Sequence, residues 1–173
     1  MTEHVILVDV KDKEIGTMPK LEAHLEGKLH RAFSIFIFNA DGELLLQQRA
    51  FDKYHSGGKW TNSCCSHPRP GEATIDAANR RLIEEMGMTA ELRHVFSFTY
   101  RADLMDGISE YEFDHVFFGI SEELPVINVE EVAEYKYMGM EALSEELDTY
   151  PEKYTAWLRI CFARVMDNYE QIF

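Results

Sequence analysis

Apolar positions along the chain recur with two periods, about 2 for strands and about 3.6 for helices, and these divide it into elements. His4–Val8 (HVILV) predicts an opening strand, and Pro19–Lys28 reads as a loop or short helix broken by Gly27. Ala32–Asn39 (AFSIFIFN) and Leu44–Gln48 flank Asp41-Gly42, which predicts a hairpin whose turn needs positive φ at its centre. From Phe51 to Pro70 Gly, Pro and Ser recur and the apolar period is lost, so this stretch predicts a loop, the kind of segment that carries function on a rigid scaffold. Thr74–Met86 predicts a helix, with Thr74 as N-cap, Ala78, Leu82 and Met86 on one face and Gly87 as a left-handed stop. Leu92–Tyr100, Glu110–Ile120 and Tyr135–Met138 predict further strands, and Pro151–Tyr169 a long amphipathic helix with Pro151 near its start. The acidic stretch Glu122–Glu146 reads as solvated surface. With neither repeats nor low-complexity linkers, the pattern predicts one mixed α/β (α+β) domain over residues 1–173.

Composition changes this picture little, and charge changes it more. The 173 residues are 46% hydrophobic and 28% charged, an ordinary globular balance. Lys and Arg number 17 against 31 Asp and Glu, a formal charge of −14, so nucleic acid is excluded as an expected partner. A small anionic substrate stays compatible if metals and a few basic residues reverse the field locally. The opening MTEHVILVDVKDK has no basic leader or long apolar run, and no stretch reaches the ~18 apolar residues of a membrane span. The three cysteines, Cys64, Cys65 and Cys161, do not make a disulfide framework and fit a reducing cytoplasm. The expectation is a cytoplasmic protein acting on a small molecule, with oligomeric state left open.

Chemistry-bearing residues cluster in three places. His24 and His30 bracket Gly27, His67 follows the cysteine pair, and Glu110 and Glu112 alternate on one face of a predicted strand. Together they would make a nitrogen–oxygen site for zinc, manganese or iron, although by spacing alone the plainer reading is surface histidines beside an acidic strand edge. In WTNSCCSHP a cysteine near a histidine offers a reactive thiol, or two small cysteines fill space beneath Trp60. On the central helix Arg81 and Glu85 stand four apart, either a solvated pair or a phosphate contact beside a magnesium ligand.

Glu72, seven residues, then Arg80-Arg81-Leu82-Ile83-Glu84-Glu85-Met86-Gly87-Met88 resembles the Nudix box, with Ser66 in place of its glycine and Arg81 in place of a metal-binding glutamate. That glutamate helps hold the magnesium that activates water in Nudix pyrophosphohydrolases, so Arg81 weighs against ordinary hydrolysis. WTNSCCSHPRPGE, SEYEFDHVFF, FSFTYRA and HRAFSIFIFNADGELLLQQRA resemble the type 1 isopentenyl diphosphate isomerases, a likeness running from about His4 to about Trp157.

That resemblance implies a Nudix-type fold, mixed sheets flanked by helices, and the isomerisation of isopentenyl to dimethylallyl diphosphate through a carbocation in isoprenoid biosynthesis. It implies one transition metal, manganese or zinc, on His24, His30, His67, Glu110 and Glu112. It implies magnesium with the substrate diphosphate on Glu85, helped by the Cys65 backbone carbonyl. Cys65 and Glu112 fall on the catalytic pair, and Cys64 on a bystander position. Lys20, Arg49, Lys53 and Arg81 fall on diphosphate contacts, and Tyr100 and Trp157 on the hydrocarbon end, where Trp157 offers an indole face to the cation or simply packs a helix. The alternatives are a pyrophosphohydrolase of a nucleoside or isoprenoid diphosphate, and a non-catalytic diphosphate- or metal-binding module.

Overall fold

A computed structural model describes residues 2–173; Met1, where the expected domain begins, lies outside the described residues. In chain order the elements are β1 (His4–Val8), β2 (Glu14–Pro19), α1 (Lys20–Glu26), β3 (His30–Phe38), β4 (Leu44–Arg49), β5 (Trp60–Thr61), β6 (Cys64–Ser66), α2 (Thr74–Met86), β7 (Arg93–Asp103), β8 (Ser109–Ile120), β9 (Val132–Met138), α3 (Met140–Thr149) and α4 (Ala156–Tyr169). The strands join in one mixed sheet. β3 is its hub, pairing antiparallel with β1, β4 and β6 and parallel with β8 over nine residue pairs.

β3 reads as a near-continuous apolar run because both of its faces are covered. Phe33, Ile35 and Ile37 pack with Leu45, Ala77, Ala78, Leu82 and Met86, against α2. Phe36 and Phe38 pack on the other side with Leu143, Leu158, Phe162 and Val165, against α3 and α4. Each such fully buried Leu, Ile or Phe side chain contributes roughly 1.5–3 kcal/mol. The sheet is therefore the middle of three layers, and its strand ends are rigid supports.

Gly42 ends the β3–β4 hairpin turn with φ +76°, where a Cβ would come 2.5 Å from the Tyr169 hydroxyl. Gly87 stops α2 at φ +60°, and a Cβ there would lie 2.3 Å from the Val126 carbonyl oxygen. Four expectations are corrected, and one strand, β2, is added. Ala73, not Thr74, is the N-cap of α2, and no side chain caps it. β2 was hidden by a partly exposed GTMP sequence with no apolar alternation. The 51–70 stretch is not loop throughout, since β5 and β6 lie within it. The terminal helix starts at Ala156, after a single 3-10 turn at Pro151–Lys153. There the Thr155 N–H donates to the Trp60 carbonyl at 3.0 Å and Thr61 and Thr155 share a 2.8 Å hydroxyl contact, and this tertiary pairing holds Tyr154 and Thr155 extended. Finally, Glu122–Glu146 is not all solvated surface, because Val132, Met140 and Leu143 within it are core residues. Among the described residues no helix is long and apolar enough to cross a membrane.

Candidate active site

Three segments converge on one end of the sheet. β8 alternates buried and part-exposed positions, so Glu110, Glu112 and Asp114 leave the same face. Its parallel register with β3 sets His30 beside Glu112. Gly27, at φ +63°, ends α1 so sharply that His24, in the last turn, meets His30 with ring centroids 5.0 Å apart. His67, just past β6, stands 5.0 Å from His30. One ligand atom from each of His24, His30, His67, Glu110 and Glu112 lies within 4.8 Å of all the others.

The contacts within this cluster are close but incomplete. His24 Nε2 is 3.3 Å from Glu110 Oε2, His30 Nε2 3.2 Å from Glu112 Oε2 and His67 Nε2 2.6 Å from the same oxygen. Yet His24 Nε2, His30 Nε2 and Glu110 Oε2 are buried with no aligned hydrogen bond. Leaving such groups unmatched costs ~1–3 kcal/mol each, so the arrangement calls for a further partner. His30 Nδ1 donates to the Lys28 carbonyl at 2.8 Å, which leaves the Nε2 lone pair facing the cluster. Burial opposes charge on Glu112, but His67 and His30 hold its carboxyl well below the usual range. Burial lowers His67, and for His30 burial is outweighed by the Glu112 carboxylate, which raises it. Three imidazoles, two anionic carboxylates and buried ligand atoms without partners fit a divalent metal of the nitrogen–oxygen class.

A cleft of about 570 Å³, measured out to its open mouth, adjoins the cluster. The two cysteines of β6 separate by strand alternation. Cys64 enters the core and its thiol donates to Glu85 Oε2 at 3.0 Å, whereas Cys65 lines the cleft. Cys65 Sγ receives the Trp157 indole N–H at 3.2 Å and donates to Asn62 Oδ1 at 3.0 Å. Burial, then the Asp114 carboxyl, pushes this thiol up to about 12, so it holds its proton. Trp157 therefore does more than pack a helix, and its ring also carries the Arg49 guanidinium 5.3 Å from its centroid. The Tyr100 hydroxyl, its ionisation suppressed by burial and by Glu112, donates to Glu112 Oε1.

Lys20, Arg49, Lys53 and Arg81 all line this cleft, with Glu85 beside them. Most have acidic partners: Lys20 with Glu3 at 2.8 Å, Lys53 with Glu131, and Arg81 with Glu84 and Glu85 at 2.7 Å each. Arg49 keeps a buried Nε without a partner. Glu85 receives Arg81 on Oε1, and Gln47 (3.1 Å) and Cys64 on Oε2, so Oε1 keeps capacity for a metal.

The structure thus brings together the residues of the expected metal, catalytic and substrate-binding sets. It adds Tyr54, His55, Ser34, Asn62 and Asp114, which touch or line the same site. The only sequence signal for the first two was polar aromatic residues in an otherwise Gly- and Ser-rich loop.

The NUDIX domain family matches residues 28–158. An isopentenyl-diphosphate Delta-isomerase of Pectobacterium atrosepticum is 49% identical over 96% of this chain and 93% of its own length. One from Serratia proteamaculans is 52% identical over 91% and 88%. A Deinococcus radiodurans structure superposes with a TM-score of 0.80 at 20% identity, covering 94% of this chain and 98% of its own. A MutT protein of Methanosarcina mazei gives 0.65 at 21%, covering 79% and 91%, so the fold is shared with proteins of very different sequence. Identity near one half over almost the full length, on a NUDIX domain, decides between those relatives: this chain belongs to the isopentenyl-diphosphate Delta-isomerase family.

Proposed function

We propose that the chain is an enzyme that isomerises isopentenyl diphosphate to dimethylallyl diphosphate, as a single cytoplasmic domain. The observation that carries the reading is a cleft in which a protonated thiol, Cys65, and an anionic carboxylate, Glu112, sit beside four basic side chains. The reaction adds a proton to the terminal methylene, leaving a tertiary cation, and removes another from the allylic carbon to set the new double bond. It needs an acid and a base in separate fixed positions and little water between them.

Cys65 and Glu112 fill those positions. Trp157 and Asn62 hold the thiol, and Tyr100 and His67 hold the carboxylate, so neither proton-handling atom swings freely. Tyr100 and Trp157 also wall the hydrocarbon end; an indole face near a desolvated cation is worth ~2 kcal/mol. Manganese or zinc on His24, His30, His67, Glu110 and Glu112 would supply positive charge that fixes the Glu112 carboxylate and sets its proton affinity. Magnesium on Glu85, with the Cys65 backbone carbonyl, would supply countercharge for the diphosphate. Lys20, Arg49, Lys53 and Arg81 orient the diphosphate; Lys20, Lys53 and Arg81 exchange their present carboxylate partners for phosphate oxygens, and Arg49 offers its unpartnered Nε. Four acidic side chains line the cleft beside the four basic ones, so the bound metals would supply the positive field that admits an anion into a protein of formal charge −14.

Incubating the purified protein with isopentenyl diphosphate and resolving products by mass spectrometry tests this directly. Dimethylallyl diphosphate is expected. Release of phosphate or pyrophosphate instead would make the chain a hydrolase, and unchanged substrate would make it a binding module.

A further inference from the structure

The segment Lys53–Ser56 contributes two side chains to the histidine–glutamate cluster that no ligand role accounts for. The Tyr54 hydroxyl lies 2.6 Å from His24 Nδ1. His55 Nε2 lies 2.8 Å from Glu110 Oε1, with the two side chains only 8% and 4% exposed. His55 is outside the set whose ligand atoms converge within 4.8 Å, so it is placed beside that set and not in it. The same segment reaches the basic side of the cleft: the His55 carbonyl accepts from Arg49 at 3.2 Å, and Lys53 pairs with Glu131.

We propose that His55, assisted by Tyr54, is a positioning residue that orients Glu110 and His24 for the metal. The inference rests on the metal-centre reading above. With His55 at Glu110 Oε1, the other oxygen, Oε2, is the one left buried, unpartnered and turned toward His24. With Tyr54 at His24 Nδ1, the outer nitrogen is occupied and Nε2 is left unpartnered in the same space. Both contacts therefore select which atom of a ligand faces inward, the service that outer hydrogen-bonding partners perform for metal ligands. The Ser56 hydroxyl, 3.3 Å from His55 Nδ1, completes the orientation of the ring. Because Arg49 holds the His55 backbone, the segment also ties the metal cluster to the diphosphate side through the main chain.

The test uses full-length apoprotein, competing chelator and zinc, with cobalt absorption as a record of the coordination shell. His55→Phe keeps volume and loses the nitrogen; His55→Gln restores an N–H; Tyr54→Phe removes only the hydroxyl. His55→Phe is expected to bind zinc ~10–100-fold more weakly, His55→Gln to recover most of that loss, and all saturated variants to share the wild-type cobalt spectrum. Tyr54→Phe should weaken binding in the same direction, which keeps the test valid if His55→Phe does not fold. Wild type that binds no metal would sink the metal-centre reading itself. Wild type that binds while His55→Phe and Tyr54→Phe match it would overturn only the positioning role. So would a changed cobalt spectrum in His55→Phe without rescue by glutamine, which would make His55 a ligand.

Discussion

β8 supports two histidine–carboxylate clusters, and they differ in kind. At one end lie His24, His30, His67, Glu110 and Glu112; toward the other, His115 Nε2 meets Asp12 Oδ2 at 2.9 Å, and Arg31 Nε meets Asp12 Oδ1 at 2.8 Å. The side chains of the second cluster are 17–21% exposed, and those of the first 0% for His24 and His30, 4% for Glu110 and 7% for Glu112. In the second, Asp12 has a donor on each oxygen and Ser97 lies 3.4 Å from His115 Nδ1. In the first, three buried atoms have no hydrogen-bond partner. The same residue types thus build a satisfied latch between the β1–β2 turn and β8, and a site that is incomplete by itself. What separates them is burial without mutual satisfaction, which a fold tolerates where something else is to be bound.

Of the two clusters, the first should therefore give the largest effects. Glu112→Gln preserves shape and one metal-capable oxygen but cannot cycle a proton, so turnover should fall ~10²–10⁴-fold at full metal loading. In deuterated water that variant should stop exchanging label into substrate and product. Asp12→Asn, the matching change in the latch, should leave turnover near wild type. If excess metal restores Glu112→Gln, its role is ligation only, and if Asp12→Asn is equally crippled, the two clusters are not distinct in function. Strand alternation draws the same line between neighbours: Cys65→Ser should lose activity on that scale, whereas Cys64→Ser, facing the core, should keep most of it.

Metal content gives the next-largest contrast. His67→Ala removes one of the five proposed ligands, so its metal affinity should drop at least as far as the ~10–100-fold expected for loss of an outer partner. His115→Ala should retain wild-type stoichiometry by elemental analysis. Undiminished occupancy in His67→Ala would remove that histidine from the site.

How much of this was readable beforehand follows from where the signals lie. Thr74–Met86 was legible to the residue because helical period and burial coincide there, and His4–Val8 because it is a short apolar run that is mostly buried. β3 was legible as an apolar run, and its displacement from 32–39 to His30–Phe38 matters, because it carries His30 into the register opposite Glu112. The candidate ligands, the thiol and the basic residues, which share one site, were singled out through resemblance to motifs with fixed spacing. Tyr54 and His55 were missed because nothing local reveals a contact to Glu110, 55 positions beyond His55. The start of α4 was missed for the same reason: Thr155 answers to Trp60, far away in sequence.

The smallest expected effect lies in the latch and concerns stability, not turnover. Burial lowers the folded-state pKa of His115; Asp12 opposes this, while His94 and Arg31 reinforce it. The unfolded histidine takes up a proton as pH falls through about 6.5, while the folded one stays neutral to lower pH. Across that window the unfolded chain binds more protons, so stability attributable to His115 is full above about 6.5 and is lost as pH falls toward the folded value. His115→Gln cannot titrate, and so should lose less stability than wild type between pH ~7.5 and ~5.5, compared by denaturant unfolding. The carboxylates and the other histidines titrate in both proteins and cancel in the difference, provided both are compared as apoprotein. A steeper acid loss in His115→Gln would mean that the Asp12 attraction outweighs burial, and the latch would then be a protonated ion pair instead of a neutral hydrogen bond.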